Sequence, residues 1–217
     1  PSGRALIGYR EPEWMEEKIT NRWEQVESDL HTNALALANV RAALEMPAFN
    51  NNLDYAQGVD LLLPHLASSR SLCVWFGTES QLAIRRDRGH DARRSLVAQA
   101  RLPRPMETDR LLISELVRIA VGAIARSSTW DALQSDVLTE DDWFAIQATW
   151  EQQAYADNMA SALEGDRIYS DVSYDLLRGS NERTVHVFYG LEEWLPVEDD
   201  ERPWWERNLR ALPLGKE

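Results

Sequence analysis

The chain has 217 residues, 44% of them hydrophobic, with 36 acidic side chains against 23 basic ones and a single cysteine. A chain of this length buries roughly 70% of its unfolded surface, so it needs neither disulfides nor a metal ion to fold. The net charge of −13 argues against nucleic acid as a partner, because that affinity depends on Lys and Arg neutralising phosphates. The apolar runs are far shorter than the roughly 20 residues that a membrane span requires.

The first predicted elements are a short apolar stretch and an acidic helix, which together form an N-terminal segment over residues 1–31. The apolar stretch covers residues 5–9, and Pro12 opens a helix over about residues 13–29. The chain begins without an initiator Met. We therefore expect a processed or truncated chain whose signal or membrane anchor lay upstream of Pro1.

A helical core is predicted over residues 32–179 from apolar residues at helical spacing. Capping residues and prolines separate the helices, such as Thr139 before one helix and Pro47 after another. The predicted helices run from about residue 34 to Pro47, from Pro64 to about Asp87, from His90 to Pro103, over about residues 109–126, from the Thr139 cap through Trp150, and from the Asp157 cap to Gly179.

The helix over about residues 109–126 is the most apolar in the chain, with only a narrow polar stripe. A helix that is apolar on nearly all sides is typical of a buried, central position. We therefore expect it to be the least exposed helix. On that interpretation, Leu116→Ala costs about 2–5 kcal/mol, as buried large-to-small changes do.

The composition changes after Gly179. Residues 184–189 are rich in β-branched and aromatic side chains, which predicts a short strand, and residues 6–9 are the one stretch similar enough to pair with it. The remainder of residues 180–217 is Trp-rich and acidic. We expect this tail to pack on the helical core, because indoles gain by burial.

Six to seven helices with short connections favour an all-α fold of stacked helical hairpins, in an irregular superhelical stack, with a short β element near the termini. The segment from Ala36 through Val40, Ala43 and Leu44 to Pro47 resembles the second helix of a tetratricopeptide repeat. Arg94 occupies a position where that repeat has a small residue, and no 34-residue period runs through the chain.

Four further segments resemble an uncharacterised family of bacterial helical-repeat proteins that follow a membrane anchor. They are residues 62–66 (LLPHL), 112–120 (LISELVRIA), 130–133 (WDAL) and 162–167 (ALEGDR). The resemblance implies a helical-repeat fold and a place in the bacterial periplasm or envelope, with membrane attachment only through a segment absent from this chain. It implies no chemistry, and therefore no catalytic residue.

The sequence shows no strong catalytic or ligand-binding motif. It has no Gly-rich phosphate loop, no His-Glu-x-x-His, no paired Cys-x-x-Cys and no Gly-x-Ser-x-Gly. The four histidines, His31, His65, His90 and His186, include no pair at i,i+4. We therefore predict neither a metal site nor a cofactor. For His65, at the start of a helix, capping or packing is the simpler interpretation.

One polar pair interrupts the most apolar helix. Glu115 and Arg118 lie at i,i+3, where their side chains can meet. Two interpretations remain open: a polar feature that lines a groove or pocket between helices, and a structural ion pair at the rim of the packing.

Charge is segregated along the chain. Residues 85–104 carry a net charge of +5, whereas residues 11–29 and 192–207 each carry −5. The basic stretch is a candidate patch for an anionic partner, formed by Arg85, Arg86, Arg88, Arg93, Arg94, Arg101 and Arg104. Three interpretations remain open: the acidic stretches fold onto the basic one in the same or a sister chain, the patch meets an anionic partner, or the segregation only aids solvation.

These observations favour a non-enzymatic scaffold of the bacterial envelope that binds a protein or peptide partner. The first alternative is an enzyme or small-molecule binder with a pocket near Glu115 and Arg118. The second is a structural subunit of a homo-oligomer, which an apolar interface between copies would reveal.

Overall fold

The structure is a computed structural model that describes residues 23–179, and every regular element in that range is helical. The all-α class is therefore confirmed for the described residues. Helices α1 to α7 cover, in chain order, Trp23–Thr32, Ala34–Leu44, Pro64–Arg85, Gly89–Arg101, Leu112–Ala132, Glu140–Trp150 and Tyr155–Arg178. Short 3₁₀ helices lie at Tyr55–Asp60 and Arg104–Met106. The predicted strand at 184–189, its expected partner at 6–9 and the acidic tail lie outside the described residues.

Local sequence explains most helix ends. Thr139 caps α6 in a capping box, in which its hydroxyl accepts from the Asp142 backbone N–H and the Asp142 carboxylate accepts from the Thr139 backbone N–H. Pro64 occupies the first turn of α3, where its missing N–H costs no hydrogen bond. The first residue of α4 is Gly89. A glycine suits this position because a Cβ would lie 2.3 Å from the carbonyl oxygen of Val137.

The described residues divide into two compact units. The first comprises residues 23–53 and 62–166. In it α3 packs against α1, α4 and α5, and α4 packs in addition against α2, α5 and α6. The main apolar core of this unit includes Leu37, Trp75, Phe76, Met106 and Val121, all nearly or fully buried.

The second unit comprises residues 54–61 and 167–179 of the described range. Its 3₁₀ helix contains Gly58 at φ +56°, a backbone conformation that glycine adopts without steric cost. The Tyr169 hydroxyl donates a hydrogen bond to the Gly58 carbonyl oxygen. This contact ties the 3₁₀ segment to the C-terminal half of α7.

The expectation that the helix of residues 109–126 is the least exposed is wrong. Helix α5 buries Val121 and Ala125, but several of its large aliphatic side chains point outward: Leu116 is 51% exposed and Ile113 is equally exposed. The helix also extends beyond the predicted end, to Ala132. The physical reason is that Glu115 and Arg118 have partners inside the fold, so the side of the helix that carries them is buried together with Val121 and Ala125.

Candidate functional site

Helix α5 has an inverted distribution of polarity. Half of its eight buried residues are polar, namely Ser114, Glu115, Arg118 and Ser128. Of the seven exposed residues within the helix, six are apolar and one is charged. We call these seven the α5 outer face: Ile113, Leu116, Ile119, Ala120, Ala123, Arg126 and Trp130. A water-facing helix normally shows the opposite pattern, with its polar side outward.

The exposed positions follow a regular spacing. Residues 113, 116, 120, 123 and 130 fall on the a and d positions of a seven-residue repeat, and residues 119 and 126 fall on the adjacent g positions. At a rise of 1.5 Å per residue, the face is about 26 Å long. It is therefore a continuous stripe rather than a scatter of single exposed apolar residues, and such stripes mark interaction surfaces.

Arg118 holds the buried side of α5. Its guanidinium is fully buried and donates to both carboxylate oxygens of Glu115, Nε to Oε2 at 2.7 Å and Nη2 to Oε1 at 2.8 Å. Nη1 donates to Glu107 at 3.1 Å, and Nη2 also donates to the carbonyl oxygen of Ala154 at 3.4 Å. The bidentate geometry is the strong form of an Arg–carboxylate pair.

Tyr155 closes this cluster from the start of α7. The Arg118 guanidinium lies 4.2 Å from the centre of the Tyr155 ring, within cation–π distance. The Tyr155 hydroxyl is buried against Gly122, where a Cβ would come within 2.2 Å of it. Burial raises the pKa of Tyr155, and burial likewise raises the pKa of Glu107 despite the attraction of Arg118.

Both members of the predicted polar pair are thus in the interior, 3% exposed for Glu115 and 0% for Arg118, rather than at a rim. Four hydrogen bonds occupy most of the five N–H donors of Arg118, which leaves little capacity for a ligand. The arrangement suits a buried structural anchor that fixes the rotation of α5.

Each arginine of the candidate anionic-partner patch contacts a side chain of its own chain. Arg88 and Arg94 each pair with Asp91 at 3.5 Å, and Arg93 pairs with Asp142 at 3.4 Å. Arg101 pairs with Glu45, and Arg104 lies over the Phe49 ring at 5.5 Å.

The other two arginines contact residues of the stretch 11–29 that the structure describes. Arg86 pairs with Glu27 at 2.7 Å, and Arg85 lies 4.9 Å from the centre of the Trp23 ring. The second acidic stretch, residues 192–207, lies outside the described residues.

A second buried network joins the start of α3 to two loops and was missed by the sequence analysis. The Nε2 atom of His65 lies 2.7 Å from Oδ2 of Asp109, whose carboxylate is almost fully buried. The Asn51 side-chain amide donates to the other carboxylate oxygen at 2.7 Å and to the Pro105 carbonyl oxygen at 2.8 Å. The network fixes the loop that leads into α5. For His65 it adds pairing with the Asp109 side chain to the packing expected from the sequence.

Two features are absent from residues 23–179, the part of the chain that the structure describes. No helix there is both long and apolar enough to cross a membrane. No group of three or more His, Cys, Asp or Glu side chains is placed there to hold a metal ion.

The chain matches no protein-family model, no curated protein and no solved structure.

Proposed function

We propose that this protein is a non-enzymatic interaction scaffold that docks to a protein partner through the α5 outer face. The observation that carries the proposal is the inverted polarity of α5, whose exposed residues are apolar in six of seven positions. A folded protein gains nothing from such a stripe in water, whereas a partner that covers it gains about 25 cal/mol for each Å² of apolar surface buried.

The Arg118 cluster supports this proposal over a ligand pocket at the same helix. Because Glu115, Glu107 and the Ala154 carbonyl already engage the guanidinium, the cluster orients α5 instead of offering free donors to a substrate. The cluster and the outer face lie on opposite sides of one helix, so the buried polar anchor forces the apolar side outward.

The face is better suited to a protein than to a lipid surface. Helices that lie on membranes flank their apolar side with several Lys and Arg residues, which attract anionic headgroups. The α5 outer face has Arg126 as its single charge, and the chain as a whole has a net charge of −13.

We further propose that the helices form an irregular stack of hairpins and that the protein belongs to the bacterial envelope. The short connection between α3 and α4, residues 86–88, supports the hairpin arrangement. The envelope location follows from the resemblance of residues 62–66, 112–120, 130–133 and 162–167 to membrane-anchored helical-repeat proteins.

Photo-crosslinking in the producing cell tests the docking surface. A photoreactive phenylalanine analogue replaces Leu116 in one variant and Leu62, an exposed residue remote from α5 in the chain, in a control. We expect protein adducts from position 116 and none above background from position 62. Equal or absent adducts at position 116 would show that the outer face is not a docking surface.

A further inference from the structure

The Arg118 cluster holds two carboxylates around one guanidinium. Glu115 accepts both hydrogen bonds of the bidentate pair, so it alone neutralises the charge of Arg118. Glu107 is a second carboxylate on the same guanidinium, with its Oε1 atom 3.1 Å from Nη1. Two carboxylates that share one partly buried site repel each other, and a proton on one of them relieves the repulsion. The cluster therefore favours the uptake of one proton.

Glu107 is the carboxylate that is placed to take up this proton. Its side chain is 30% exposed, whereas that of Glu115 is 3% exposed, so solvent reaches Glu107 more readily. Its Oε1 atom accepts the hydrogen bond from Arg118, and its Oε2 atom accepts none from the described residues. A proton on Oε2 would therefore leave the contact with Arg118 in place, because a neutral carboxyl group still accepts through its other oxygen.

The charged and titratable groups around Glu107 act on it in both directions. Arg118 and Arg104 favour its ionised form, whereas Glu115 disfavours that form. Burial has the largest effect, and it raises the pKa of Glu107 above its ordinary value of 4.5. Tyr155 completes the surroundings from α7, where its buried hydroxyl has no hydrogen-bond partner among the described residues. The surroundings thus contain no group that fully compensates a second carboxylate.

We propose that Glu107 is a proton-binding site and that proton uptake there tightens the anchorage of α5 at mildly acidic pH. The proton removes the surplus negative charge of the cluster and leaves the bidentate pair of Glu115 with Arg118 intact. The segment that follows the second 3₁₀ helix then contacts α5 without repulsion between the two carboxylates. The inference goes beyond the docking role proposed for the α5 outer face and does not depend on it.

The direction of the pH dependence follows from the state that binds the proton more tightly. Because burial raises the pKa of Glu107 in the folded protein, the folded state takes up the proton at a higher pH than the unfolded state. The destabilising effect of the ionised Glu107 is complete above the raised pKa, declines as the pH falls through it, and is absent well below pH 4.5. A carboxylate that an ion pair stabilises shows the opposite dependence.

Thermal unfolding of the full chain between pH 7 and pH 4.5 tests the proposal against Glu107→Gln, which resembles the protonated side chain. We expect the wild type to unfold at a lower temperature than Glu107→Gln at pH 7, and the difference to shrink as the pH falls. Both proteins contain the neighbouring pair of His65 and Asp109, so the titration of that pair cancels in the difference.

The matched control is Glu45→Gln, which makes the same change at a carboxylate that also pairs with an arginine but is 66% exposed. Because this variant loses an exposed ion pair, we expect its unfolding midpoint at pH 7 to lie at or slightly below that of the wild type. The two glutamine variants should therefore shift the midpoint in opposite directions at pH 7.

Carbon-13 NMR of the side-chain carboxyl groups tests the site directly. The signal that disappears in Glu107→Gln belongs to Glu107, and we expect its titration midpoint to lie above 4.5 and to fall in Glu115→Gln, which removes the neighbouring charge. Sequential assignment of the wild-type spectrum gives the same midpoint if Glu107→Gln does not fold. A midpoint at or below 4.5, or a stability difference that does not shrink toward acidic pH, would overturn the proposal.

Discussion

Replacing Arg118 with methionine is the sharpest perturbation of the fold, because it removes the buried charge that orients α5 and keeps most of the side-chain volume. The Glu115 carboxylate, 3% exposed, would lose both of its hydrogen bonds to the guanidinium and stay buried. Removing one partner of a buried ion pair costs about 3–5 kcal/mol. For a chain of this size, each kcal/mol shifts the unfolding midpoint by about 2–4 °C. We therefore expect a loss of about 6–20 °C.

Thermal unfolding followed by circular dichroism measures this loss. The matched control is Arg88→Met, which breaks an i,i+3 pair that is largely exposed, with the Arg88 side chain 51% and the Asp91 side chain 33% accessible. Exposed pairs contribute about 0–1 kcal/mol, so the control should shift the midpoint by less than about 4 °C.

The double variant Arg118→Met with Glu115→Leu separates the loss of charge pairing from the loss of packing. Replacing both partners of a buried pair with apolar residues is often neutral or stabilising. We therefore expect the double variant to recover most of the stability that Arg118→Met loses. If Arg118→Met unfolds within the error of the Arg88→Met control, the cluster does not anchor α5 and the reasoning fails.

Two other predictions concern the buried contacts of the first unit. Gly165→Ala should destabilise the protein by about 1–3 kcal/mol, although alanine is the better helix former, because the new Cβ would lie 2.1 Å from the Arg110 carbonyl oxygen. Urea unfolding measures this loss of stability. An increase in stability would contradict the close contact. Burial raises the pKa of the Cys73 thiol to about 12, against an ordinary value of 9.0. At pH 8 the reactive thiolate should therefore be roughly 1,000-fold scarcer in the folded protein than in the unfolded one. We expect the native thiol to resist a disulfide reagent. Because the pKa of this thiol is higher in the folded state, its contribution to stability is complete below about pH 9 and declines as the pH rises toward 12. Rapid labelling of the native protein would contradict the burial of Cys73.

Local signals made the helix positions predictable. The predicted core helices correspond closely to α2, α3, α4 and α6, because prolines, glycines and the Thr139 cap act on neighbouring residues in the chain. The start of α7 lies two residues before the predicted cap at Asp157, since a single Asp is a weaker signal than a capping box.

The orientation of α5 was not predictable from its own sequence. A helix that is apolar on nearly all sides contains no information about which side faces the core. The side of α5 that is buried depends on Glu107, Ala154 and Tyr155, which contact Arg118 from other parts of the chain. The i,i+3 spacing predicted the contact between Glu115 and Arg118, but not that the pair would be buried.

The Asp109 network shows the same limit. Asn51, His65 and Asp109 are far apart in the chain and match no motif, so only the fold brings them together. Of the three, only His65 is singled out by the sequence, as a residue at the start of a helix for which capping or packing is expected.

The central claim is that α5 turns its apolar side outward, and cysteine labelling tests it most directly. A cysteine replaces Leu116 on the outer face in one chain and Ser114 on the buried face in another, and the buried Cys73 is present in both. We expect the cysteine at 116 to react with a maleimide nearly as fast as in the unfolded chain, and the cysteine at 114 to be strongly protected. Protection at 116 together with rapid reaction at 114 would contradict the account.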